Sequence, residues 1–192
     1  MFKKLLLALL IFTAPLAYAQ NQTAIFAGGC FWCMEADFDK VPGVIEILSG
    51  YDGGTSKNPT YQQVSSGSTR YAESVKVIFD PTKVSYPTLL DYYWHHIDPT
   101  TKDAQFCDHG KQYRTAIFYL NDAQKQQALA SLQKIKQQLP VVYTEIVPST
   151  QFYAAEDYHQ NYYQKNPVRY KFYRTTCGRD ARIKEVWHEK NS

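Results

Sequence analysis

Beyond its first twenty residues the sequence has no apolar run long enough to cross a bilayer, which excludes a helical membrane domain. It has no internal repeat, no low-complexity tract and no linker long enough to divide it, which excludes repeat arrays and separate domains. It also has little net charge, +3 in all, of which Lys3 and Lys4 supply two. The remaining +1 is too small to point to nucleic acid or an anionic membrane as partner. Cysteine is sparse, with four residues at 30, 33, 107 and 177. The first two form a C-x-x-C, but no second such pair follows, so a zinc site lacks half its usual ligands.

What is present begins with a leader. MFKK is basic, LLLALLIFTAPLA is apolar, and Ala17-Tyr18-Ala19 is a small-x-small cleavage site. That layout is a secretory signal peptide. Cleavage is expected after Ala19, leaving a soluble chain from Gln20 and one domain over 20–192. No cysteine follows the cleavage site to carry a lipid. Export, most simply to a bacterial periplasm, would place the cysteines in an oxidising compartment. A domain of this size folds without staples, so chemistry competes with structure as the reason for them. Nothing demands more than a monomer.

Strands are expected at 23–27, 43–54, 73–80, 113–120 and 143–149. In 73–80 the alternation puts Val75, Val77 and Phe79 on one face. Helices are expected at 30–41, 85–97, 121–139 and 154–166, and from Arg179 to Lys190. Ser85 and Asn121 or Asp122 act as caps, with Pro140 and Pro167 as stops. Strands and helices mix without strict βαβ alternation, so the fold class is α+β, with two layers.

The stretch "AGGCFWCMEADF" (27–38) carries the chemistry. A thiolate is the nucleophile, and a helix N-terminus favours one. Cys30 is expected at that N-terminus, with Gly28 and Gly29 letting backbone amides approach its sulfur. Cys33, one turn on, can serve as resolving thiol; a structural disulfide and half a metal site are the alternatives. Phe31 and Trp32 beside the nucleophile suggest a pocket for a small apolar group, since aromatic rings hold methyl and sulfur well.

"GGCFW" followed by an acidic helix resembles the peptide methionine sulfoxide reductases of the A type. "SGYDGGTSKNPTYQQVSSGSTRYAESV", "FDPTKVSYPTLLDYYWHHIDPT", "DHGKQYRTAIFY" and "AEDYHQNYY" resemble further blocks of that family, from about Thr23 to Asn166. The resemblance implies a two-layer mixed sheet with helices around a ferredoxin-like core. It implies Cys30 as nucleophile, Phe31 and Trp32 as walls for the sulfoxide methyl, and Glu73 as acid. It implies Tyr61 and Tyr113 as hydroxyls on the sulfoxide oxygen, and Asp108 as an aspartate near the site. A desolvated, protonated carboxyl can give a proton to that oxygen, and tyrosines can steady it. Cys30 would become a sulfenic acid, a second cysteine would close a disulfide, and an external thioredoxin-like dithiol would reopen it. The cycle needs no bound cofactor or metal. The resemblance implies the S epimer of methionine sulfoxide, free or in oxidised proteins, as substrate.

The sequence departs from the family pattern at the cysteines. Cys33 stands where glycine is commoner and supplies a built-in resolver; Cys177, nearer the C-terminus, is the other candidate. Cys107, just before Asp108, has a bridge to Cys177 as its expected fate, whether structural or as a second relay. Arg70-Tyr71 precede Ala72-Glu73 where Gly-His is usual, and Arg70 is expected to point away from the carboxyl. The competing function is an exported thiol–disulfide oxidoreductase using Cys30 and Cys33. It leaves Glu73, Tyr61 and Tyr113 without roles. A secreted binding domain with two disulfides and a tyrosine-rich surface is the third reading.

Overall fold

A computed structural model describes residues 20–188. The expected leader, residues 1–19, lies outside them. Within them no helix is long and apolar enough to cross a membrane.

The centre is a sheet of six strands. β1 (Gln22–Gly28), β2 (Val44–Asp52) and β3 (Ala72–Phe79) come first in the chain. β4 (Ala104–Gln105) and β5 (Asp108–His109) form a separate small hairpin. β6 (Thr115–Tyr119), β7 (Glu145–Pro148) and β8 (Tyr153–Ala154) complete the set. The large sheet runs β7-β6-β1-β3-β2-β8, antiparallel except for the β6–β7 pair.

Helix α1 (Phe31–Phe38) links β1 to β2, and α2 (Tyr61–Ser65) lies between β2 and β3. Helix α3 (Tyr86–Trp94) follows β3. The order β6-β1-β3-β2, with α1 and α3 as crossovers, is the split βαβ of a ferredoxin-like core.

Hydrophobic periodicity explains the layers. Val75, Val77 and Phe79 are fully buried on one face of β3. They meet Phe31, Met34 and Phe38 of α1 and Leu89, Leu90 and Tyr93 of α3 in one cluster. Phe26 stacks on Phe38 at 5.1 Å and on Tyr93 at 5.0 Å, tying the strand to both helices. Between these residues, Lys76 points to the opposite face, where its ammonium sits 4.8 Å from the Phe152 ring. Ser85 caps α3 by accepting from the Thr88 N–H. Asn121 caps α4 (Asp122–Gln138) by accepting from the Gln124 N–H.

The C-terminal third departs from the expectation. No helix runs over 154–166; the segment turns, and only α5 (Tyr162–Lys165) is helical. Asn161 sits in the left-handed region at φ 54°, which breaks the spiral just before α5. Pro167 is not only a stop. It opens α6 (Pro167–Thr176), where its missing N–H is harmless. Gly178, at φ 67°, ends that helix, and α7 (Arg179–His188) follows.

α6 buries none of its own residues. Polar anchors hold it and α7 to the body instead. Arg174 pairs with buried Asp37 of α1 at 2.9 Å and with Asp180 at 2.6 Å. Arg179, itself buried, lies 3.5 Å from Asp37 and donates to the carbonyls of Gly28 and His96 at 3.1 and 2.8 Å. A buried cation needs this many acceptors to offset its desolvation.

Candidate active site

Cys30 is the N-cap of α1, set there by a sharp turn out of β1. Gly29 makes that turn at φ 83°. A Cβ on it would also come within 2.6 Å of the Gln105 side chain, so both backbone angle and space require glycine. The Cys30 sulfur makes no side-chain cap hydrogen bond to the helix. The Phe31 N–H donates to Glu73 Oε2 at 3.0 Å, across from β3.

Cys30, Phe31, Trp32, Tyr61, Glu73, Asp108 and Tyr113 line one cavity of ≈ 70 Å³. These are the residues the sequence marks as nucleophile, aromatic walls, acid, oxygen-binding tyrosines and neighbouring aspartate. Cys30 is 6% exposed and Glu73 2%. The volume is about that of two waters, enough for a methyl-bearing sulfoxide head and little more. Larger cavities lie elsewhere, such as the open groove between α3 and α7 lined by Lys40, His96 and Lys184. Among the described residues, that groove gathers acids, histidines and basic side chains but no cysteine.

Each wall is held by named neighbours. Trp32 stacks on Tyr162 at 3.8 Å, nearly parallel, and its indole N–H donates to His159 Nδ1 at 3.1 Å. Tyr61 opens α2, and its backbone N–H donates to Glu156 at 2.8 Å. The same carboxylate accepts from the Tyr51 hydroxyl at 2.8 Å. Tyr113 ends a 3-10 turn (Lys111–Tyr113) just before β6. Tyr173, which sequence reasoning missed, forms a further wall and donates to Asp108 Oδ2 at 2.5 Å. The signal was present: Tyr173 lies one helical turn before Cys177.

Burial dominates the site's electrostatics. It pushes Glu73 up to about 8, against the opposing hydrogen bond from Phe31, with Asp108 and Cys33 adding to the rise. The carboxyl is therefore protonated at neutral pH and is a proton donor. Arg70 is exposed and is not among the groups acting on it, as expected. Burial also raises Asp108 and carries the Tyr61 hydroxyl to about 12, so the tyrosines remain O–H donors.

The thiols correct one expectation. Cys30 is raised, not lowered: burial acts first, and its hydrogen bond to Cys33 acts next. Cys33 is lowered by that same hydrogen bond, with Arg179 and Arg174 contributing, although burial opposes. Of the two, Cys33 is the thiol shifted down; it sits one helical turn from Cys30, whose carbonyl accepts from the Cys33 N–H at 3.1 Å. The helix terminus does not acidify Cys30, because burial dominates and its sulfur makes no side-chain cap hydrogen bond to α1.

Cys30 and Cys33 are free and buried, whereas Cys107 and Cys177 form a disulfide. Neither Cys33 nor Cys177 lines the cavity. The ligand atoms of Cys107, Asp108 and Cys177 lie within 4.8 Å of one another, but with both sulfurs bonded they offer no thiolate to a metal.

One free thiol backed by a second, a protonated acid and two hydroxyls at a small aromatic cavity point to a thiol-dependent reductase acting on a compact polar head. The family model described as Peptide methionine sulfoxide reductase matches residues 22–191. The chain belongs to that family. It is 48% identical over 184 residues to "Peptide methionine sulfoxide reductase MsrA 2" of Caulobacter vibrioides, covering 94% of this chain and 93% of that protein. Among solved structures it is similar to reduced Mxr1 of Saccharomyces cerevisiae, with TM-score 0.74 and 31% identity over 78% of this chain and 87% of that one. Mxr1 in complex with Trx2 gives TM-score 0.55 at 22% identity over 79% and 91%, a likeness of fold alone.

Proposed function

We propose that the chain reduces methionine S-sulfoxide, free or in oxidised proteins, at Cys30. The observation that carries this reading is a carboxyl pushed up to about 8, facing a cysteine across an aromatic cavity of ≈ 70 Å³. The sulfoxide methyl lies against Phe31 and Trp32. Its oxygen faces Glu73, Tyr61 and Tyr113, with Asp108 at the edge.

The steps follow from the proton positions. Cys30 passes its proton to the Cys33 thiolate as its sulfur attacks the sulfoxide sulfur. Glu73 delivers a proton to the oxygen, while the tyrosine hydroxyls stabilise the charge that gathers there. The S–O bond breaks and the oxygen moves to Cys30. This yields methionine, a Cys30 sulfenic acid, a Cys33 thiol and an ionised Glu73. Cys33 then attacks the sulfenic sulfur and its proton leaves with the hydroxyl as water, forming the Cys30–Cys33 disulfide. The two electrons come from the thiols, so the chemistry calls for no resident cofactor. A thioredoxin-like dithiol restores the pair.

Cys33 is favoured over Cys177 as resolver because Cys33 is a free thiol one helical turn from Cys30, while Cys177 is bonded to Cys107. A thiol–disulfide oxidoreductase would use the same pair but leave Glu73, Tyr61 and Tyr113 idle. The leader read in residues 1–19 supports export, most simply to a periplasm. Reaction of the reduced protein with each epimer of a methionine sulfoxide substrate tests the reading. Methionine should form from the S epimer only, and its absence would overturn the reading.

A further inference from the structure

We propose that the Cys107–Cys177 disulfide positions a wall of the substrate pocket, holding Tyr173 against Asp108 so that the two close its side. This rests on the pocket being the sulfoxide site.

Four observations converge on the bridge. Tyr173 and Asp108 both line the cavity and share a hydrogen bond of 2.5 Å. Asp108 directly follows Cys107, and the Cys177 N–H donates to the Tyr173 carbonyl at 2.9 Å. The disulfide therefore lies one residue from one partner and one helical turn from the other.

The elements that carry the two residues need an external restraint. α6 buries none of its residues, and Val168 and Phe172 stay 84% and 70% exposed. Apolar packing along α6 is therefore slight, and the direction of Tyr173 is set by its edge-on contact with Trp32, its bond to Asp108, the Arg174–Asp37 pair beside it and the disulfide one turn on. On the other side, Phe106 and Cys107 form the two-residue tip of the β4–β5 hairpin. Phe106 has φ 57°, a left-handed backbone that a bulky residue holds only when its surroundings impose it. The two-residue hairpin turn itself calls for a positive φ there, and the tip is further tied by the Arg179 guanidinium 4.6 Å from the Phe106 ring and by the disulfide at the next residue.

Trp32 shows the consequence in the pocket. Its ring meets Tyr173 edge-on at 6.0 Å, so moving Tyr173 opens the side of the aromatic wall. A wall that contacts substrate equally before and during reaction affects binding more than the rate at saturation.

The test is single-turnover reduction of a methionine S-sulfoxide peptide, read as half-saturation and saturated rate. Four proteins are compared: the wild type with its bridge, Cys107→Ser/Cys177→Ser, Tyr173→Phe, and the triple variant. The double variant should raise half-saturation about tenfold and change the saturated rate less than about threefold. Tyr173→Phe should raise half-saturation in the bridged protein and add almost nothing in the double-serine background. Additive effects would reduce the bridge to a general stabiliser and overturn the proposal. So would an unchanged single turnover with recycling by a protein dithiol lost, which would make the bridge an electron carrier.

Should the double variant not fold, the two redox forms of the unsubstituted protein give the same comparison. The form with four free thiols should show the weaker half-saturation, and the form with two the tighter; equal values would overturn the proposal. No methionine from the bridged wild type would instead refute the sulfoxide reading of the site.

Discussion

The Phe31 N–H donates to Glu73 Oε2 at 3.0 Å, so the start of α1 serves the acid rather than the neighbouring thiol. That one bond holds the carboxyl at the residue next to Cys30. Proton donor and nucleophile are thus set by the same turn of backbone.

Glu73 should limit stability as well as serve catalysis. Its ordinary value is 4.5 and its buried value about 8. Below about pH 4.5 the carboxyl is protonated whether the chain is folded or not. As pH rises to about 8 only the unfolded chain ionises, so the folded state loses stability across that window. The loss is about 3 kcal/mol by pH 7. Glu73→Gln should therefore melt higher than wild type at pH 7 and 8, with the gap closing near pH 4.5. Melting curves across that range check it, and parallel curves would contradict it.

The same substitution should slow chemistry. Single turnover by Glu73→Gln should fall by about 10²–10⁴, the usual contribution of a positioned acid. In the wild type the rate should decline as pH passes about 8, and stopped-flow measurement of both proteins reads this directly.

Tyr61→Phe and Tyr113→Phe each remove one hydroxyl from the cavity wall. Each should lower the saturated single-turnover rate about ten- to a hundredfold. The fold should be retained, and near-ultraviolet circular dichroism provides that control.

Arg179 ties the C-terminal helices to the nucleophile's turn through Gly28, His96 and Asp37. Arg179→Met should lower stability by about 3 kcal/mol, because it leaves buried carbonyls unpaired and Asp37 with Arg174 alone. Urea denaturation measures it, and an unchanged midpoint would show the network to be dispensable.

The sequence was legible where a repeating pattern met one partner. The alternation of Val75, Val77 and Phe79 located β3, and Asn121 with the periodic run after it located α4. The pocket was legible through motif resemblance, which placed seven of its eight lining residues. Two features were not. α6 is held by Asp37, Asp180 and a disulfide rather than by an apolar stripe, so periodicity had nothing to detect. The opposite shifts of Cys30 and Cys33 depend on burial and on where Arg174 and Arg179 lie, and both are set by distant chain.

The central claim is that Cys30 takes the oxygen and Cys33 resolves it. The most direct measurement is mass spectrometry of the cysteines after one turnover of the bridged protein with a methionine S-sulfoxide peptide. The account requires one methionine per chain and a new Cys30–Cys33 disulfide, with Cys107–Cys177 unchanged. Cys33→Ser should still release that methionine but stop at a Cys30 sulfenic acid that a protein dithiol does not recycle. A Cys30–Cys177 bond in the unsubstituted protein, or normal recycling of Cys33→Ser, would contradict it.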